Sequence, residues 1–394
     1  MLVHFLIQTK PFKDETLESY LVRLTRDNSF TDYRELADII WQSLVEKDFE
    51  LEGAFPLDLK RANLYHASKS SRFRTRAFKL VAQWSALKSL ELIRISWLRS
   101  NIQYGHLTAL IRDQFLLPRV LLRENNVPIC SECLKEECYI PYYWHLKPYM
   151  ACHKHKVRLF SQCVHCSELI DYRRSERFSQ CSCGAELKST VPAKKADIAI
   201  SKALCSSDAQ HLVGELTWFA YQYNHDIEQN NFNEAFLAYF NDWPNNFLSE
   251  LADKVSSGRE KQLRPFNHTK FESIFGEVVK LSRVASPNVL RTNIVVDSLL
   301  CFLSDLVEKN PKQKHPNIAD LLLNSLEAAT LLGTTLEQVF RLYQEGSLTC
   351  SEKLKKNEHL KPERCVFHLR QVIEIAQSQG RYFGYLKNQP ITPW

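Results

Sequence analysis

Cys130–Cys183, CSECLKEECYIPYYWHLKPYMACHKHKVRLFSQCVHCSELIDYRRSERFSQCSC, holds eight of the chain's twelve cysteines. The first set reads Cys130-x2-Cys133, eighteen residues, then Cys152-x2-His155. The second reads Cys163-x2-Cys166, fourteen residues, then Cys181-x-Cys183. A CxxC turn aims two thiolates at one point, and a second knuckle returning from a loop completes a tetrahedron around Zn²⁺. The spacing therefore predicts two structural zinc ions. Their ligands would be Cys130, Cys133, Cys152 and His155 in one site, and Cys163, Cys166, Cys181 and Cys183 in the other. His155 is preferred to His153 because x2 spacing lets both groups converge, whereas adjacent side chains diverge. Cys138, His145 and His165 are spare donors, and packing suffices to explain Cys138 and His145. Four filled positions leave no place for an activated water, which argues for scaffolding rather than hydrolysis.

Outside this window the cysteines (Cys205, Cys301, Cys350 and Cys365) are isolated, as small buried hydrophobes usually are. The chain has 394 residues, enough for several modules. Its 51 basic and 45 acidic residues give a net charge of +6, which permits nucleic acid as a partner without requiring it. No apolar run approaches the roughly 20 residues that span a bilayer, and MLVHFLIQTKPF lacks a basic n-region and a cleavage site. A cytoplasmic setting with reduced thiols and no membrane partner follows, and there a cysteine cluster is read as a metal site rather than a disulfide framework.

The flanks of the cysteine window are helical in pattern. Leu17, Tyr20, Leu21 and Leu24 share one helix face, and Asn28-Ser29 ends it. Leu36, Ile39, Ile40 and Leu44 share another. Further helices are expected at 75–85 and 89–99, the second capped by Ser89 with Leu90, Ile93 and Trp97 inward. This pair reads as a helix-turn-helix behind a basic stretch, Lys69, Arg72, Arg74 and Arg76, whose charges could follow a phosphate backbone or face solvent. Aromatics from Trp218 to Trp243 stud the next helical stretch and are expected at a partner surface, as are the N-terminal helices. Near the end, Ser325–Leu348 reads as a winged helix-turn-helix. Gly333 allows its turn, and Thr334 with Glu337 forms a capping box for the second helix. That helix would expose Glu337, Gln338, Arg341 and Gln344, with Lys355 and Lys356 as basic support downstream. DNA and a protein partner both remain open for it.

The expected fold is mainly α: a multi-domain helical protein with helix-turn-helix units and two inserted zinc-finger modules. The expected partition is an N-terminal helical domain (1–120), a tandem zinc-finger module (121–195), a helical domain (196–315) and a C-terminal winged helix-turn-helix-like domain (316–394). With ten glycines there is no phosphate-binding G-x-x-x-x-G-K-[ST] loop, and neither G-x-S-x-G nor H-E-x-x-H occurs. A binding protein, not an enzyme, is expected.

Several of these stretches together resemble the TniQ/TnsD family. Pro11…Asp14-Glu15-Thr16-Leu17-Glu18-Ser19-Tyr20-Leu21-x-Arg23-Leu24 is similar to its N-terminal motif, Pro…Glu-Ser-Leu-x-Ser-Trp-x-x-Arg-Leu, with Thr16 and Tyr20 in place of commoner choices. Phe78–Ser96 resembles its first helix-turn-helix. Pro118-Arg119…Cys130-x2-Cys133-Leu134, Tyr143-Trp144-His145 and Cys152-x2-His155 resemble its first zinc finger, and the Cys163/Cys166/Cys181/Cys183 group its second. The likeness spans about residues 8–190. By length the chain resembles the branch found in CRISPR-associated transposons rather than the longer branch that binds a fixed attachment site. That resemblance implies a non-catalytic target-selection adaptor for DNA transposition. Its partners would be a crRNA-guided Cascade complex, the transposon AAA+ ATPase and transposase, and a second copy of itself in a head-to-tail dimer.

Overall fold

The computed structural model describes residues 4–47, 55–67, 71–188, 191–207, 209–287, 292–352 and 361–379. Among them lie sixteen α-helices, one three-stranded sheet and one two-stranded ladder. The chain divides into two units. One comprises Met1–Gln103, Leu107–Val213 and Asp226–Glu234; the other Tyr104–His106, Gly214–His225 and Ala235–Trp394.

The first unit opens with α1 (Leu17–Asp27) and α2 (Tyr33–Lys47). Thr16 caps α1 by accepting the Ser19 N–H, and Ser29 takes the left-handed conformation that turns the chain away (φ 60°). Leu17, Tyr20, Leu21 and Leu24 are fully buried, as are Leu36 and Ile40 of α2. The spacing thus placed both inward faces. Next comes α3 (Ser71–Trp84), but the helix expected over 89–99 shrinks to one turn, α4 (Glu91–Arg94). It follows Leu90 and has no side-chain cap, so Ser89 does not serve as one. Leu90 is exposed, while Trp97 is buried beyond the helix end. The chain then becomes an antiparallel meander that the helical reading missed: β1 (Leu98–Tyr104), β2 (Leu107–Arg112) and β3 (Phe115–Pro118). Asp113, at φ 54°, makes the tight β2–β3 turn that pairs Arg112 with Phe115.

The cysteine window contributes two short helices, α5 (Ser131–Glu136) and α6 (Tyr172–Ser175), joined by isolated bridges rather than long strands. The α7 helix (Lys195–Ala203) and the start of α8 (Ala209–Gln222) complete this unit, with the first residues of α9 (Phe232–Phe240).

The second unit is built on aromatic packing. Trp218 of α8 is fully buried, and its ring centroid lies 5.5 Å from Trp243 and 5.6 Å from Phe247 of α10 (Asn245–Glu260). Phe219 and Phe236 are buried too. The aromatics expected at a partner surface are therefore mostly a core, with Tyr221 alone among the large exposed hydrophobics of that stretch. After α11 (Phe271–Phe275), α12 (Val278–Ser282) and α13 (Ile294–Lys309) come β4 (Leu322–Leu323), α14 (Ser325–Leu332), α15 (Leu336–Gln344), β5 (Phe367–His368) and α16 (Leu369–Ser378). Gly333, left-handed at φ 53°, separates α14 from α15, as expected. The caps differ from the expectation. The capping box belongs to α14, through Asn324 and Glu327, and α15 is capped by Thr335, one residue later than Thr334. Among the described residues no helix is long and apolar enough to cross a membrane.

Candidate metal centres

Cys130 ends an extended segment paired through Ile129 with Phe160, and Cys133 sits three residues on, in the first turn of α5. One helical turn thus brings both sulfurs to the same side. The returning arm is a tight knuckle closed by Cys152 N–H to Val157 O (2.8 Å) and Lys156 N–H to Cys152 O (2.8 Å). Lys156 reverses the chain at φ 58°. The second centre repeats the device. Ser167 N–H reaches Cys163 O with Ser167 at φ 60°, and Gly184 N–H reaches Cys181 O with Gly184 at φ 85°. The CxC arm has one residue fewer in its turn, and it uses the residue for which a left-handed conformation costs least.

The donors meet as a metal requires. Cys133 Sγ lies 3.5 Å from Cys152 Sγ, and His155 Nδ1 lies 3.3–3.6 Å from the sulfurs of Cys130, Cys133 and Cys152. In the second group Cys163–Cys183 is 3.8 Å and Cys166–Cys181 is 3.5 Å. A tetrahedron with Zn–S near 2.3 Å has edges of about 3.8 Å, somewhat shorter toward an imidazole nitrogen. Both groups fit that size, and each is able to hold a metal ion. Among the described residues these two are the groups of three or more Cys, His, Asp or Glu that can do so.

The four-donor sets are the eight residues named from spacing. His155 turns Nδ1 inward and sets Nε2 3.0 Å from Glu136 Oε1, a carboxylate that would fix its tautomer. His153 points elsewhere, with Nδ1 2.8 Å from Tyr149 Oη. Cys138 and His165 are exposed outside both groups, and Cys205 is exposed rather than a buried hydrophobe. His145 is buried, its Nε2 2.9 Å from Tyr172 Oη, and burial holds its pKa well below the ordinary histidine value.

What sequence reasoning missed is how the first centre joins the N-terminal helix. Ser19 Oγ donates to Glu15 Oε1 (2.8 Å) and accepts the Ile140 N–H (2.9 Å). Thr16 N–H donates to Ile140 O, and Tyr142 N–H donates to Asp14 O. Thr16 Oγ1 meets Tyr172 Oη at 3.0 Å, which extends the chain of contacts to His145. Arg23 pairs with Glu15 at 2.7 Å, yet burial still raises the Glu15 carboxyl to about 7. Arg173, also buried, pairs with Asp171 (2.9 Å), and Lys60 bonds the other Asp171 oxygen (2.7 Å). Glu18 accepts from Asn63 Nδ2 (2.6 Å). Residues 14–23 are thus a clamp between α1 and the metal-bearing loops. The polar alternation Glu15, Thr16, Glu18, Ser19 on a buried helix was its one sequence signal.

Of the basic residues expected at a partner face, one is spent inside the fold. Arg74 is buried, and its Nη1 donates to the carbonyls of Arg61, Ala62 and Asn63, so it serves the fold rather than an exposed surface. Arg72 and Arg76 flank it on α3. Arg341 is exposed and ion-paired with Glu337 at 2.8 Å along α15. Lys355 and Lys356 lie outside the described residues.

Two groups of four donors, the loop of the first bonded to the start of α1, are each arranged to hold a metal ion. Residues 6–159 match the family model described as TniQ, so this part of the chain carries a TniQ domain. The match takes in α1, its clamp, the meander and all four donors of the first centre. No curated protein matches the chain. A TniQ domain marks a transposition-associated adaptor or DNA-binding protein.

Proposed function

We propose that this chain is a non-catalytic target-selection adaptor in DNA transposition that links a crRNA-guided Cascade complex to the transposon AAA+ ATPase and transposase, acting as a head-to-tail dimer. The observation that carries the reading is the coincidence of the TniQ match with the clamp and the first centre. Zinc in both centres would act as a structural cross-link, because all four positions are filled by protein donors. Guide RNA then supplies the sequence reading. The test is insertion directed by a chosen guide, with the chain present or omitted. Guide-dependent insertion that needs the chain is expected, and insertion unaffected by its omission would overturn the proposal.

The second reading is direct selection of an attachment site, and the α14–Gly333–α15 pair favours it as a winged helix-turn-helix. Against it, the cation on the outer face of α15 is paired with Glu337. Base readout in a major groove calls for unpaired donors such as arginine. A gel shift on random and chosen duplexes separates the readings: tight, sequence-specific binding without guide RNA would select the second.

A further inference from the structure

A hollow of about 670 Å³ opens in the first unit where the α1–α2 turn faces the loop between Cys166 and Cys181. Four arginines line it: Arg26 at the end of α1, Arg34 in the first turn of α2, and Arg174 and Arg177 in the loop. All four are exposed, and none forms an ion pair among the described residues. The acidic groups beside them are already engaged. Glu176 Oε2 accepts the Tyr33 N–H (2.9 Å), Asp32 Oδ1 accepts the Glu35 N–H (3.1 Å), and Glu35 accepts the Thr31 N–H (2.8 Å). These carboxylates cap the start of α2 and hold its turn against the loop, while the guanidiniums stay available.

This arrangement does not arise from sequence proximity. Arg173, next to Arg174, is drawn inward by Asp171, which forces its neighbour outward. Glu176, left-handed at φ 52°, then reverses the chain and returns Arg177 to the same side. Thr31, Ser175, Ser179 and Gln180 add hydroxyl and amide groups around the rim. A protein partner needs an apolar or aromatic anchor at the centre of its interface. Two aromatic rings line the hollow: Phe178 is buried and packed against Tyr172, and Phe30, half-buried, is packed edge-on against Phe5. Unpaired arginines with hydroxyl and amide side chains are instead the set that grips phosphodiester oxygens.

We propose that Arg26, Arg34, Arg174 and Arg177 form a docking surface for the phosphate backbone of duplex DNA, independent of its sequence. The surface goes beyond the adaptor reading, which needs no direct DNA contact, so either can fail alone. It differs from the α15 face in that no base edge is read.

Fluorescence anisotropy with the full zinc-loaded chain and a labelled duplex of random sequence tests this. Arg26→Gln, Arg34→Gln, Arg174→Gln and Arg177→Gln combined should weaken binding at least about tenfold and flatten the salt dependence by about 0.9 in log–log slope per lost phosphate contact. Zinc content and Tm should not move, because the four side chains are exposed. Arg34→Gln alone, expected to weaken binding a few-fold with a slope change near one contact, keeps the test valid should the combined variant misfold. Binding and slope unchanged in both variants would overturn the surface, as would no measurable duplex binding by the parent. Tighter binding to single-stranded RNA of equal length, lost in the variants, would overturn its assignment to DNA. Capture of the guide complex by the same variants reports on the adaptor reading separately.

Discussion

The two metal centres use the same knuckle but sit in different surroundings. In the first, Cys130 and Cys152 are fully buried, and its loop is bonded to Asp14, Thr16 and Ser19 at the start of α1. In the second, Cys163 and Cys181 are buried too, but Cys166 and Cys183 are exposed where Cys133 and His155 of the first are half-buried, and Val164 and His165 between the ligands are exposed. Its loop is nonetheless anchored at the far end, where Tyr172 and Arg173 are buried. A metal at the first centre therefore completes a core, while one at the second stiffens a projecting tip. The difference lies in what each loop touches, since donor number and spacing are nearly the same.

The comparison can be broken from either side. Cys152→Ser should have the largest effect: a structural zinc is worth on the order of 10 kcal/mol in small peptides, so soluble yield of the whole chain should collapse. Cys166→Ser should leave a folded protein holding one metal ion instead of two, with Tm lowered by a few degrees. Equal losses in the two variants, read by yield and metal content, would remove the distinction. Arg173→Ala should cost about 3 kcal/mol in urea unfolding, the low end for breaking a buried pair, because Lys60 still compensates Asp171. A cost near zero would mean the anchor of the second loop is not energetic. Tyr172→Phe removes the hydroxyl between Thr16 and His145 and should cost about 1–3 kcal/mol, measured the same way. Smallest is Glu136→Gln, which leaves His155 a weaker partner; with Glu136 more than half exposed, zinc affinity should fall about tenfold in a chelator competition.

Much of this architecture was legible in the sequence where the signal is local. A knuckle needs only its own few residues to aim two donors, so all eight could be named from spacing, and His155 could be chosen over His153. The inward faces of α1 and α2 follow from period alone. The meander at 98–118 was hidden because Leu90, Ile93 and Trp97 mimic a helix face, while β1 alternates exposed and half-buried residues without a buried apolar row. Trp97 is buried by the fold around it, not by a helix. The aromatic run at 218–243 could not be sorted into core or surface without knowing that α10 packs on it. The clamp was least legible. Glu15 and Ser19 gain their meaning from Ile140, more than a hundred residues away, and the four arginines of the hollow converge only after Asp171 has claimed Arg173.

Hydrogen exchange during stepwise chelation of the full chain, with metal content followed by native mass spectrometry, tests the central claim most directly. The account predicts two zinc ions per chain at the start. The first to leave should release protection only in the tips around 163–168 and 181–186. The second should release α1, Leu17–Asp27, together with the Cys130–His155 loop. Loss of both ions with α1 still protected would contradict it.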